Sequence, residues 1–174
     1  LKTDGTMWVW GSNSYGSLGL NQPTPTEVSS PIQLPGTWSK VTGDDNGGVV
    51  AIKADGTAWG WGINEMGMLG LNQAHDDRLS SPTQIGTDTT WRSAVMSDQG
   101  SLATKTDGTL WAWGYGDDGA LGLNQSPGNQ RRSSPTQIGT DTTWSDQIGC
   151  YGFGMLAIKT NGTLWSWGSN HSLG

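Results

Sequence analysis

One phrase decides the fold, because it occurs four times in the 174 residues with only small changes. It reads KTDGTMWVWG at 2–11, KADGTAWGWG at 53–62, KTDGTLWAWG at 105–114 and KTNGTLWSWG at 159–168. Successive copies begin 51, 52 and 54 residues apart. Periods of this length are typical of a propeller blade or of one coil of a solenoid. The sequence is therefore a tandem repeat array.

Each copy of the phrase predicts a β-hairpin. An Asp-Gly or Asn-Gly pair, which suits the left-handed conformations of a tight hairpin turn, separates two strand-like runs. Two tryptophans follow at positions i and i+2, so in a strand both indoles lie on one face. These pairs are Trp8/Trp10, Trp59/Trp61, Trp111/Trp113 and Trp165/Trp167.

A third tryptophan recurs upstream of the phrase, and it completes the set of eleven. It is found at Trp38, Trp91 and Trp144. Only 33% of the residues are hydrophobic and 28 are glycine, yet each buried indole removes about 150–250 Å² from water. We therefore expect an ordered, tryptophan-rich core, not a low-complexity segment.

The repeat contains four predicted strands, which is the content of one propeller blade. In the second unit they cover 38–42, 49–53, 57–61 and 82–85, and we name them A to D in chain order. The predicted units are a partial blade at 1–37, whole blades at 38–90 and 91–143, and a partial blade at 144–174. The chain thus predicts an all-β propeller segment of thirteen strands, about three blades of four-stranded antiparallel sheet.

A closed propeller needs about four to eight blades, so this array predicts an open arc. Exposed sheet edges favour aggregation unless something covers them. Pairing the two ends with each other would duplicate strand C. We therefore interpret the chain as a fragment whose open edges are covered by further blades of the same chain or by another subunit.

The charge and the cysteine content exclude several classes of function. The net charge is −6, the pI is about 4.6 and no basic stripe is present, which disfavours binding to nucleic acid and to anionic membranes. No apolar run reaches the length that spans a bilayer. The single Cys150 cannot form an internal disulfide, and it leaves the compartment open.

The phrase DGTLWAWG, followed by the pattern GxLGLN and then by SPTQIGTDTTW, resembles the regulator-of-chromosome-condensation repeat family. The resemblance covers the whole chain and implies part of a seven-bladed ring. It also implies, as an alternative function, a guanine-nucleotide exchange factor or an enzyme inhibitor such as the secreted bacterial inhibitor of β-lactamase. Glycine at 48, 100 and 154 replaces the family's usual histidine.

Uniform repeats favour a bacterial or phage member of that family. SSPTQIGTDTTW occurs unchanged at 80–91 and 133–144, which indicates recent duplication. A virion or an extracellular cell surface is accordingly the favoured location, although the sequence does not define it.

Candidate binding residues are those that differ between blades, because residues that recur in every blade are explained by the blade itself. Alternating strand direction places the A-to-B and C-to-D loops at one rim and the Asp-Gly turns and D-to-A linkers at the other. Variation gathers at the first rim, a common layout for recognition. The candidates are Asp44, Asp45, Asn46, His75, Asp76, Asp77, Arg78, Asp98, Asp117, Asp118, Arg131, Arg132 and Tyr151.

Several functional interpretations of these loops stay open. They predict recognition of a protein or glycan by a non-enzymatic scaffold, or they are simply solvated loops. His75 beside Asp76 and Asp77 suggests a metal site or general base, and Asp44, Asp45, Asp117 and Asp118 suggest Ca²⁺, but ligand spacing for either is missing. No nucleophile elbow, phosphate loop or dinucleotide fingerprint is present. We therefore predict no catalytic residues, no metal and no cofactor.

Overall fold

The computed structural model describes residues 1–24, 26–73, 77–124, 131–152 and 154–169. This part of the chain consists of strands, connecting loops and two 3₁₀ turns, Glu65–Gly67 and Asp117–Gly119. The strands are β1 Met7–Ser12, β2 Glu27–Leu34, β3 Trp38–Gly43, β4 Gly48–Lys53, β5 Ala58–Ile63, β6 Arg78–Gln84, β7 Trp91–Met96, β8 Gly100–Lys105, β9 Leu110–Gly114, β10 Arg132–Gln137, β11 Trp144–Tyr151, β12 Gly154–Lys159 and β13 Leu164–Gly168.

The strands form four antiparallel sheets in chain order. Sheet 1 is β1–β2, sheet 2 is β3–β6, sheet 3 is β7–β10 and sheet 4 is β11–β13. Strand β7 contacts β3 and β4, and β11 contacts β7 and β8, so the first strands of neighbouring sheets meet nearest the axis. The predicted all-β propeller segment with four-stranded blades is confirmed.

The outer strands of sheets 2 and 3 are longer than predicted. They were expected to begin at the proline of each unit, but β6 already begins at Arg78 and β10 at Arg132. The reason is that the third strand continues past its tryptophans, so that Gly62 pairs with Leu79 and Ile63 with Arg78 beyond a register shift. The sequence did not predict these starts, because the first residues of the outer strands are mostly polar and show no alternation of apolar and polar side chains.

Three tryptophans form one cluster in each of sheets 2, 3 and 4. In sheet 2 the ring of Trp38 lies 6.4 Å from Trp59 and 5.7 Å from Trp61 between ring centroids. The ammonium of Lys53 lies 3.6 Å from the Trp59 centroid, a favourable cation–π contact. Lys105 and Lys159 repeat that contact over Trp111 and Trp165. These contacts make the recurring lysines part of the packing of their own sheets.

The prediction that the tryptophans form a buried core is wrong at the two ends of the array. Trp10 is 59% exposed and Trp165 is 50% exposed, whereas Trp61 is 1% exposed. The difference has a geometric cause. In the described part of the chain, Trp10 has no preceding sheet against it. Within the same residues, Trp165 has no fourth strand beside it, whereas Trp59 and Trp111 pair with residues of the fourth strands β6 and β10.

Neighbouring sheets interlock through the GxLGLN pattern. The indole Nε1 of Trp61 donates to the carbonyl oxygen of Ser17 at 2.9 Å, and Trp113 Nε1 donates to Met68 at 2.7 Å. A Cβ on Gly70 would lie 2.8 Å from the Trp113 indole nitrogen, so only glycine permits this approach. The pattern therefore builds the contact of one sheet with the next.

The Asp-Gly turns also serve two sheets at once. Asp55 Oδ1 accepts hydrogen bonds from the backbone nitrogen and the hydroxyl of Thr57, and Thr57 Oγ1 accepts one from Trp59 Nε1. The carbonyl of Gly56 accepts the backbone N–H of Trp91, the first residue of the next sheet, at 3.0 Å. Together with the equivalent bonds from Trp38 to Gly5 and from Trp144 to Gly108, this shows that three of the four turns fix both their own hairpin and the start of the following sheet.

No helix in the described ranges is long and apolar enough to cross a membrane.

Candidate functional site

The sheet topology defines two rims with different contents. Antiparallel order puts the first-to-second and third-to-fourth strand connections at one end, which we call the loop rim. The Asp-Gly turns and the linkers between sheets lie at the other end, the turn rim. The turn rim repeats one hydrogen-bonded motif, whereas the loop rim differs from sheet to sheet. The candidate binding residues that the structure describes lie at the loop rim.

Three carboxylates meet at the inner part of the loop rim, and we call them the acidic cluster: Asp44, Asp45 and Asp98. The carboxyl groups of Asp98 and Asp45 hydrogen-bond across the boundary between sheets 3 and 2, and Asp44 adds its charge. That hydrogen bond, with burial and the neighbouring negative charges, raises the pKa of Asp98 to about 6. The cluster brings together residues that are separated by more than fifty positions in the sequence.

Asp44 is held inside its loop. Its Oδ1 accepts the backbone N–H of Gly48 at 2.7 Å. Burial raises the pKa of the Asp44 carboxyl, and this effect outweighs the hydrogen bonds from the loop backbone. Asp44 therefore has a structural role inside its loop, while Asp45 and Asn46 are exposed.

The acidic cluster continues to sheet 4 through polar contacts. The hydroxyl of Ser97 donates to the carbonyl oxygen of Gly152 at 3.2 Å. The half-buried Cys150 lies beside Ser97, and burial raises the pKa of its thiol to about 11. A thiol that stays protonated near neutral pH is a poor nucleophile, so Cys150 gives this region no catalytic group.

Arginine–tyrosine pairs lie on the outer strands and the loops before them. The guanidinium of Arg78 lies 4.8 Å from the ring centroid of Tyr15, and that of Arg131 lies 5.5 Å from Tyr115. The hydroxyl of Tyr115 donates to Asp117 Oδ2 at 2.5 Å. The loop rim therefore carries negative charge near the axis and stacked cations further out.

Several candidates occupy places other than the loops where they were predicted. Arg78 and Arg132 are the first residues of β6 and β10, Tyr151 is the last residue of β11, and Asp117 lies in a 3₁₀ turn. Longer strands account for the first three differences.

Other candidates are not joined to these groups. Asp77 is exposed, and its backbone carbonyl accepts the N–H of Asn64 at 2.9 Å. His75 and Asp76 lie outside the described residues, as does the side chain of Asp118. Among the residues that the structure describes, no group of three His, Cys, Asp or Glu side chains could hold a metal ion.

Sequence reasoning missed Tyr15 and Tyr115, which hold the arginines in place. Tyr15 also packs on the first loop of sheet 2, because a Cβ on Gly47 would lie 3.2 Å from its ring. The sequence did contain a signal for them, because the positions of both tyrosines are occupied by other residues in the neighbouring units. The loop rim thus offers hydrogen-bonding groups, stacked arginines and carboxylates, which are groups suited to binding a polar partner.

The fold and its motifs define a class of repeat propellers, and comparison with known proteins identifies the family. The sequence profile described as the regulator of chromosome condensation (RCC1) repeat matches residues 4–52 and 107–150, more than half of the chain. The chain belongs to the RCC1 repeat family.

Similar proteins share the repeat over the whole chain. The RCC1 domain-containing protein RUG3, mitochondrial, of Arabidopsis thaliana is 29% identical over 100% of this chain and 41% of its own length. The crystal structure of human WBSCR16 superposes with a TM-score of 0.79 at 25% identity, covering 98% of this chain and 44% of that one.

Prp20p of Saccharomyces cerevisiae, whose structure was described with its binding properties to Gsp1p and histones, gives a TM-score of 0.77. It is 19% identical, and the match covers 97% of this chain and 42% of that chain, so this likeness shows the fold. The chain spans about two fifths of the length of each of these three eukaryotic relatives.

Proposed function

We propose that this chain is part of a non-enzymatic scaffold that binds a partner protein through the loop rim. The observation that supports it is the contrast between the rims. One repeats the same turn motif in each unit, and the other unites the acidic cluster with the two arginine–tyrosine pairs. Relatives with this fold include Prp20p, which binds Gsp1p and histones.

The charge arrangement specifies the kind of protein surface that fits. Negative charge near the axis attracts a basic centre, and arginines stacked on tyrosines can donate to carboxylates further out. Stacking reduces the freedom that the arginine side chains lose on binding. A protein with a basic protrusion and an acidic surround is therefore the proposed partner class, ahead of a glycan.

The test compares loop-rim variants with control variants elsewhere on the strands, using two purified proteins, core histones and Gsp1p. The loop-rim variant combines Asp45→Asn with Asp98→Asn. A second variant combines Arg78→Ala with Arg131→Ala. The controls are Asp146→Asn and Lys40→Ala, which are exposed strand residues outside the loop rim.

We expect at least one loop-rim variant to weaken binding about tenfold or more, while the controls leave it unchanged. Surface plasmon resonance with each immobilised chain measures this. Undiminished binding in both loop-rim variants contradicts the assignment of the rim. A glycan array on which the parent chain binds while it binds neither protein would favour the glycan instead.

We also infer that the outer faces of sheets 1 and 4 are covered by further blades of a longer chain or by another subunit. Trp10 is 59% exposed on the outer face of sheet 1 and Leu164 is 64% exposed on that of sheet 4, whereas the equivalent Trp61 and Leu110 are buried in the interior of the array. Apolar side chains of this size rarely stay uncovered together.

The remaining predictions about the whole protein stay predictions. A bacterial or phage origin rests on repeat uniformity alone, and a virion or surface location follows from it. Exchange-factor and inhibitor functions are tested by nucleotide release from a small GTPase and by β-lactamase inhibition. Activity in either assay would replace the scaffold proposal.

A further inference from the structure

The linker that enters sheet 2 is shorter than the linkers that enter sheets 3 and 4. Leu34 and Trp38 are separated by Pro-Gly-Thr, whereas Ile85 and Trp91 are separated by Gly-Thr-Asp-Thr-Thr. The same five residues precede Trp144. The two missing positions include the aspartate, so sheet 2 lacks a residue that its neighbours have.

That aspartate has a defined task in the other two sheets. Asp88 Oδ2 lies 2.7 Å from the ammonium of Lys105, and Asp141 Oδ2 lies 2.6 Å from Lys159. Each lysine also lies over two indoles of its own sheet. The lysine therefore receives aromatic faces and a carboxylate together. The pairing with Lys159 helps to lower the pKa of Asp141 to about 2.

Lys53 has the aromatic faces without the carboxylate. Its ammonium lies 3.6 Å from the centroid of Trp59 and 5.1 Å from that of Trp38, in the same arrangement as Lys105 and Lys159. Among the described residues, no carboxylate lies within ion-pair distance of it. An ammonium between two indoles is partly desolvated, and this strengthens its attraction for a negative group.

A groove is present where the longer linker would run. Its volume is about 530 Å³, and it opens between sheets 1 and 2 at the turn rim. Lys53, Trp38 and Trp59 bound it on one side, and the amide side chains of Asn21, Gln22 and Gln33 lie among its lining residues. This volume is in the range of sites that bind small ligands, and it far exceeds one carboxylate.

We propose that this groove binds an acidic side chain of an extended segment of a partner protein, whose carboxylate pairs with Lys53 as Asp88 pairs with Lys105. The indoles, Pro35 and the amides provide contacts for the backbone and the flanking residues of such a segment. The groove lies at the turn rim, so the site is separate from the loop rim and does not rest on the function proposed there.

The chain itself supplies the probe, because residues 85–90 already fill the equivalent position in sheet 3. The acetylated and amidated hexapeptide Ile-Gly-Thr-Asp-Thr-Thr is titrated into the ¹⁵N-labelled 174-residue chain, and its Asn counterpart serves as the matched control. We expect the indole N–H signals of Trp38 and Trp59 to move with the Asp peptide. The Asn peptide should bind about tenfold more weakly or worse, because it lacks the charge.

Two variants locate the effect. Lys53→Gln should weaken binding of the Asp peptide by about tenfold or more. The second variant replaces Pro35-Gly36-Thr37 by Gly-Thr-Asp-Thr-Thr. It supplies an internal carboxylate for Lys53 and should therefore abolish peptide binding. It also keeps the test possible if Lys53→Gln does not fold. Equal binding of the two peptides, unmoved indole signals in the folded parent chain, or undiminished binding to either folded variant would overturn the proposal.

Discussion

At the scale of single residues, the repeated phrase is explained by a chain of hydrogen bonds that links the aspartate or asparagine, the threonine and the first tryptophan of each copy. The aspartate closes the turn by accepting two hydrogen bonds from threonine, and the threonine holds the indole nitrogen. The glycine that follows the aspartate has φ near +80°, and in three of the four copies the next linker packs directly on it. Gly162 is the exception, since a Cβ there would meet nothing within 4 Å.

This difference gives a matched pair of substitutions. Gly162→Ala should lower the free energy of unfolding by about 1–2 kcal/mol, because only the left-handed backbone opposes the new Cβ. Gly56→Ala carries the same strain at φ +80°, and it also places a Cβ 2.1 Å from the carbonyl oxygen of Thr89. We expect it to cost at least about 2 kcal/mol more. Urea denaturation followed by tryptophan fluorescence measures both, and equal losses would contradict the contact.

The acidic cluster predicts a pH dependence of stability. The pKa of Asp98 is raised to about 6 in the fold, above its ordinary value of 3.8. The protonated carboxyl is therefore favoured by folding, so its contribution is complete below pH 4 and is lost as the pH rises through 6. Thermal melts between pH 4 and 7 should show the parent chain losing stability relative to Asp98→Asn. Asp146→Asn serves as the control. Parallel profiles of melting temperature against pH for Asp98→Asn and the parent would contradict the raised pKa of Asp98.

At the scale of elements, the unit of stability is the contact between successive sheets. The apolar clusters between sheets 2 and 3 and between sheets 3 and 4 combine the second and third strands of one sheet with the first tryptophan of the next, as in the cluster of Val50, Ala58 and Trp91. The glycine and leucine residues of the GxLGLN pattern complete it. A single sheet could not bury these groups alone.

Removal of one indole hydrogen bond tests the contact. Trp61→Phe keeps an aromatic ring but loses the bond from Nε1 to the carbonyl of Ser17, at a site that is 1% exposed. We expect a loss of about 1–3 kcal/mol in the free energy of unfolding. Trp10→Phe is the control, because Trp10 is 59% exposed and its change should stay within about 0.5 kcal/mol. A comparable loss in the control would show that the bond to Ser17 is not the cause.

At the scale of the whole molecule, the number of strands and the tryptophan clusters could be predicted from the sequence because each depends on spacing within one unit. The start of β6 at Arg78 could not, since it depends on a register shift opposite Gly62. The pairing of Asp45 with Asp98 could not either, because it arises from two loops of different sheets. The division into units at 38, 91 and 144 stays a prediction.

The uncovered faces of sheets 1 and 4 should make the isolated chain self-associate. Exposed Trp10, Leu164 and Trp165 lie beside open sheet edges, a combination that favours association. We expect sedimentation velocity to show concentration-dependent oligomers, and the double variant Trp10→Ser with Leu164→Ser to reduce them. Replacement of the exposed Lys40 by serine is the control. A parent chain that stays monomeric at every concentration would contradict the inference about these faces.

The hydrogen bond from Trp91 to the carbonyl of Gly56 recurs from Trp38 to Gly5 and from Trp144 to Gly108, and in each case the donor comes later in the chain than the hairpin that it completes. As the chain leaves the ribosome, a hairpin emerges with its turn carbonyl still facing water, and only the next first strand supplies the donor. Each blade is therefore finished by residues translated after it. During synthesis from the amino end, we therefore expect each of these three hairpins to stay incompletely hydrogen-bonded until the next first strand has been translated.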